Sequence, residues 1–183
     1  MQFRRDLGKA QAHFFSVWKS LRQGGLLPEK QAIGIRELRH FVSHYAVIHL
    51  NERAAVTILH SGTGFDELWG RNVAGCLVSD LAPVKAADLL NWFFHSMIKQ
   101  PCGGHSEEIF THKTGDRYQL DLLYLPVRKK NGDTAIAAIA DMKILGPSDY
   151  IHFPNRAQDP GQIIQYADFI DIGHGLPAGY FEY

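Results

Sequence analysis

The stretch "HSGTGFDELWGRNVAG", residues 60–75, places four glycines between an apolar run and a short helical segment, and its reading decides the fold. A phosphate-cradling loop at this point would mean a nucleotide-binding α/β sheet, whereas a simple bend would not. The GxxxxGK[ST] loop needs a lysine directly after its second glycine, but Gly70 is followed by Arg71 and Asn72. The GxGxxG turn needs a third glycine soon after Gly64, and the next is Gly70. Asp66 and Glu67 also occupy the first turn of the following helix, where they repel the anion that a helix N-terminus attracts. The glycines are therefore expected to make a sharp strand-to-helix corner through positive φ, with Thr63 capping the turn.

Before this corner, "AVIHL" and "AAVTILH" are β-branched runs on either side of the polar "NER", which is the pattern of a hairpin. After it, the segment from Val84 to Lys99 carries Leu89, Leu90, Trp92, Phe93, Phe94, Met97 and Ile98, too many for one narrow helical stripe. Such a helix must meet apolar surroundings on more than one side. Three strand-like runs follow, "SEEIFTH", "RYQLDLLYLPV" and "AIAAIADMKIL", joined by the turns "KTGD" and "KKNGD". The two-residue period puts Tyr118, Leu120, Leu122 and Tyr124 on one strand face and Arg117 and Asp121 on the other. The element order predicts an α+β fold, an antiparallel sheet covered by helices on one face.

At the start of the chain, residues 11–23 place Phe14, Phe15, Trp18 and Leu21 on one helical face and stop at Gly24-Gly25. That face is expected to pack on the chain's own sheet or to form a dimer interface. A second helix through Ile35, Leu38, Phe41 and Val42 is expected to end near Tyr45. Beyond Leu145 the pattern weakens, with a short strand or helix at "IIQYADFIDIG". The expected organisation is an N-terminal helix and turn at 1–30, a central domain at 31–145 and a C-terminal extension at 146–183.

With 183 residues, 45% of them hydrophobic, the chain can bury the core of a single domain. Lys+Arg and Asp+Glu both number 19, so no global field recruits nucleic acid or an anionic membrane, and neither is an expected partner. The charge is nonetheless uneven, since residues 1–39 hold eight basic and three acidic side chains, while 146–183 hold one and five. Such ends are expected to be solvated flanks or to attract each other. No run of 18 apolar residues occurs and no secretory leader is evident, which points to a soluble, cytoplasmic protein. Cys76 and Cys102 are far apart, and reduced thiols are expected.

The histidines suggest metal only weakly. His40 and His44 have helical i,i+4 spacing with His49 close by, but no carboxylate completes an HExxH pattern, so no metal site is expected. Acid/base chemistry needs convergent titrating groups. His60, Asp80, His112, Asp121 and Asp141 are scattered and no GxSxG elbow occurs, so no catalytic residue is expected.

The segment "ILHSGTGFDELWGRNVAGCLVSDL" resembles the signature of single-domain bacterial PAS proteins of the alphaproteobacterial type. "VWKSLRQGGLLPEKQAIGIREL" is similar to their leading helix, Leu-Pro turn and second helix, and "LYLPVRKKNGDTAIAAIADM" to their last hairpin. The resemblance implies a five-stranded antiparallel sheet in the order 2-1-5-4-3, with a long helix across one face. It implies a sensory and regulatory module in signal transduction that acts through a small apolar ligand, a signalling-protein partner or both, and that forms a homodimer. The candidate cavity is lined by Trp92, Phe93 and Met97 from the helix, opposite Tyr118, Leu120, Leu122 and Tyr124. The candidate dimer face is Phe14, Phe15, Trp18 and Leu21, and no cofactor is specified. Two alternatives remain. His95 on the long helix resembles the haem ligand of haem-binding PAS sensors. An NTF2-like cone fold would make the chain a small enzyme around an apolar cavity.

Overall fold

A computed structural model describes residues 6–24, 26–112, 114–147 and 161–177. Gly25 of the expected glycine stop, and the segments 148–160 and 178–183 of the C-terminal extension, lie outside these residues. Among these described residues six strands are present: β1 (Tyr45–Leu50), β2 (Val56–Ser61), β3 (Gly103–Thr111), β4 (Asp116–Arg128), β5 (Thr134–Pro147) and β6 (Gly161–Ile170). They form one antiparallel sheet in the order β2-β1-β5-β4-β3-β6. The first five strands have the expected order, with β1 inside the sheet between β2 and β5. The sixth is one strand more than expected. It comes from the C-terminal extension and pairs with β3 from Gly103↔Ile170 to Thr111↔Gly161.

The helices are α1 (Lys9–Leu21), α2 (Ile35–Leu38), α3 (Thr63–Trp69), α4 (Val78–Leu81) and α5 (Ala87–Lys99). The helix expected to reach Tyr45 stops at Leu38, because Phe41 leaves the helical region (φ −131°, ψ 2°) and packs against an apolar cluster, and a 3₁₀ turn follows at Val42–His44. In α5, Asp88 in the first turn and Lys99 in the last both complement the helix dipole. Its residues Leu90, Phe93, Phe94, Met97 and Ile98 are buried against the sheet, a spacing that follows the helical period.

Both sheet faces are covered, where one was expected. On the inner face, Leu120, Leu122 and Tyr124 of β4 and Ile136, Ala138 and Ala140 of β5 pack with α5. On the outer face, Leu123, Leu125 and Val127 alternate with them and join Ala135, Ala137 and Ile139 beneath α1. The cause lies in β4 and β5 themselves, which are apolar at successive positions and so present an apolar surface on each side. An isolated 13-residue helix is marginal in water, so α1 depends on this contact.

The glycine corner works differently from the expectation. Gly62 has φ −77° and itself precedes α3, while Thr63 is already helical. Here glycine is required for lack of room: a Cβ on Gly62 would collide with the Val42 and Ser43 carbonyls, and one on Gly64 with the His44 ring. The positive-φ residues of the stretch come later: Gly70, at φ 63°, which ends α3, and Gly75, at φ 86°.

Candidate functional site

Between α3, α4, α5 and the inner sheet face lies a cavity of about 100 Å³. Ile48, Ile58, Leu68, Leu90, Leu120 and Leu122 supply most of its apolar wall, and the small side chains of Ala46 and Ala138 leave its floor low. One end is polar, where Glu108, Tyr124 and Gln162 reach the lining.

Glu108 is buried, at 3% exposure. The Ser106 hydroxyl donates to Glu108 Oε1 at 2.8 Å, and Gln162 Nε2 donates to Oε2 at 2.5 Å. The Tyr124 hydroxyl lies 3.0 Å from Ser106 Oγ. With the single Ser106 proton already committed to Glu108, Tyr124 is the donor of that pair. Burial pushes the Glu108 carboxyl above its ordinary value of 4.5, against the pull of hydrogen bonds from Gln162 and Ser106. Burial, with the neighbouring Glu108 charge, also raises the Tyr124 phenol. Among the described residues no cationic side chain pairs with Glu108.

The strand register explains how an acid comes to sit here. Glu107 and Glu108 are adjacent in β3, so one of them must face inward. Glu108 is paired with Leu120, on the cavity face, whereas Glu107 faces outward and accepts from Gln119 Nε2 at 2.7 Å. Gln162 reaches the site because the β3–β6 register shifts between Glu107 and Glu108. Sequence reasoning passed over Glu108, Ser106 and Gln162. The available signal was the consecutive acid pair within "SEEIF".

The structure brings Leu120, Leu122 and Tyr124 together at the cavity wall. Tyr118, at the end of the same stripe, packs against the inner cluster outside the cavity. From α5 the cavity takes Leu90 and Phe94, while Phe93 and Met97 are buried beside it. Phe93 stacks on Phe169 of β6 at 4.9 Å. Trp92 is 36% exposed and lines an outer groove of about 320 Å³ together with His95. His95 therefore faces this groove and not the inner cavity, and a cavity of about 100 Å³ does not fit a haem.

On the outer face, Phe14 and Trp18 are fully buried against the chain's own sheet, with Phe15 and Leu21 half-buried at the margin. The Trp18 indole donates to the Pro126 carbonyl at 2.8 Å. Asp141 accepts from the Ala10 and Gln11 amides at 3.3 and 3.2 Å and so caps α1 from β5. Gln11 Nε2 donates to Asp121 Oδ1 at 2.7 Å, and His105 Nε2 lies 2.5 Å from the same oxygen. His40, His44 and His49 do not converge: His40 accepts from Arg39, His44 is half-buried with burial lowering its pKa, and His49 lies beside Lys129. The two thiols stay apart, and burial pushes Cys102 up to about 12.

With this geometry in place, comparison with protein families finds that a PAS-domain model matches residues 8–139. The chain belongs to the PAS-domain family. Comparison with curated proteins gives no match. The PAS match starts just before α1 and ends within β5, so β6 and Gln162 lie beyond it. Membership places this PAS chain among sensory and regulatory modules. Among the described residues no helix is long and apolar enough to cross a membrane.

Proposed function

We propose that the protein is a sensory PAS module, not an enzyme, whose inner cavity receives a small ligand and whose outer-face helix α1 reports occupancy to a signalling-protein partner. The observation that carries this reading is the inner cavity itself, apolar on its walls and polar at one end where Glu108, Tyr124 and Gln162 meet. Most binding cavities combine apolar walls with a few placed polar groups, and this one, at about 100 Å³, is smaller than the roughly 300 Å³ at which drug-sized sites begin, so it suits only a very small ligand. The route outward is short. Leu122 and Tyr124 face the cavity, while Leu123 and Leu125, next to them on β4, pack in the cluster that holds Phe14 and Trp18. Close-packed interiors transmit displacement, so a ligand that moves β4 moves the seat of α1. The non-enzymatic part of the proposal is supported by the His105–Asp121 pair, which is engaged with Gln11 in holding α1 on the face away from the cavity.

The experiment is an amide and indole NMR titration with xenon and with small organic probes. Shifts at Phe94, Leu120 and Leu122 together with the Trp18 indole are expected. Shifts confined to surface residues, with no probe entering the cavity, would overturn the reading.

A further inference from the structure

Building on the reading of the inner cavity as a ligand site, we propose that its ligand is a small alkylamine bound as the ammonium ion, seated on Glu108 with its apolar tail among the leucines. The first argument is the hydrogen-bond inventory at the polar end. Glu108 already receives one donor on each oxygen, from Ser106 and Gln162, and a carboxylate has about four acceptor positions. Tyr124 uses its proton on Ser106 and keeps an oxygen lone pair, and Gln162 uses one amide N–H on Glu108 and keeps the other together with its carbonyl oxygen. With Glu108 ionised, the capacity left at this end is therefore mostly acceptor capacity. An ammonium, with three donors and nothing to accept, is its complement.

The second argument is charge. Glu108 is buried without a cationic partner among the described residues, and a buried acid in that position either stays protonated or needs a positive charge brought to it. A cationic ligand is one group that can bring it. The third is the aromatic lining: Phe65, Trp69, Phe94 and Tyr124 all border the space, and ring faces favour cations over neutral groups of the same size. The volume sets the tail. A space of about 100 Å³ suits a ligand of about four to five non-hydrogen atoms, given that an engineered cavity of about 150 Å³ in another protein holds benzene. Gln162 lies on β6, outside the family match, so part of this acid-holding arrangement is supplied by the C-terminal strand.

Where Glu108 is protonated in the free chain, binding an ammonium releases its proton to solvent. Affinity then rises with pH, by up to about tenfold per unit, until the acid is ionised without ligand. The test is calorimetric titration of the full chain with isobutylamine and with isobutanol, which has the same skeleton and no charge, at several pH values, repeated on Glu108→Gln. The expected result is amine binding with proton release, at least about tenfold weaker in Glu108→Gln, and weaker isobutanol binding that the substitution leaves unchanged. Isobutanol binding as tightly as the amine, or amine binding unaffected by Glu108→Gln, would overturn the ligand class while leaving the cavity reading intact. If neither probe binds and xenon also fails to enter, the cavity reading fails with it. Ala138→Leu is the second variant, should Glu108→Gln not fold. It keeps the carboxyl but fills the space, and the amine is expected to lose its binding; amine binding that survives Ala138→Leu would place the amine elsewhere and overturn the proposal.

Discussion

Ala137 and Ala138 are neighbours on β5, both at most 1% exposed, yet they belong to different environments. Ala137 faces outward into the cluster under α1, together with the fully buried Phe14 and Trp18. Ala138 faces inward and borders unfilled space. The outer face is close-packed and its polar groups are committed to α1, through the Asp141 cap and the Gln11–Asp121–His105 chain. The inner face keeps a void and a buried acid without a cation among the described residues. One sheet thus separates a side that maximises contact from a side that forgoes it, and forgone contact is the mark of a surface kept for something else.

The largest test of this contrast is Trp18→Ala, which leaves a cavity on the packed side and an unsatisfied Pro126 carbonyl. It should cost about 3–5 kcal/mol in urea unfolding, and a loss under about 1 kcal/mol would mean that α1 is not integral to the fold. The alanine pair comes next. Ala137→Val should destabilise by about 1–3 kcal/mol through overpacking, whereas Ala138→Val should stabilise by about 0.5–2 kcal/mol by filling space. Equal signs for the two would break the comparison. Asp141→Ala removes the cap supplied to α1 by β5 and should cost about 0.5–2 kcal/mol, with faster hydrogen exchange at the Ala10 and Gln11 amides. Glu108→Gln should change stability least at low pH, where the parent acid is protonated and the amide keeps its shape. It changes the slope instead. The Glu108 carboxyl lies above 4.5 in the folded chain, so its contribution is fully present below pH 4.5 and is lost as pH rises through the raised value. A midpoint that falls with pH over that window in the parent chain, and falls less in Glu108→Gln, is the expected result. Parallel curves would show that Glu108 is not a buried acid.

Much of the fold was legible because it is encoded locally. Asn131-Gly132 marks the β4–β5 turn through backbone preferences of the turn residues themselves, and Gly132 does donate back to Lys129. The alternation Tyr118, Leu120, Leu122, Tyr124 marks one strand face by its period alone. The same strand also carries Leu123, Leu125 and Val127, whose presence was the available sign that both faces are buried. The site was less legible. Seven apolar residues in α5 cover so much of its circumference that the period could not choose between Phe93 with Met97 and Leu90 with Phe94 as the cavity wall. For Glu107 and Glu108, a one-residue slip in register exchanges the two faces, and β3 is set by its pairing with β4.

The amino-acid sequence by itself determined the first five strands, the Asn-Gly turn between β4 and β5 and the long helix, because each of these rests on preferences that act over a few neighbouring residues. The tertiary structure alone decided that Asp141 caps a helix about 130 positions earlier, that Gln162 returns to hold Glu108, and that Ala138 borders a void while Ala137 does not. These follow from the register and packing of segments remote along the chain, where the outcome depends on which surfaces meet and not on what any one segment prefers.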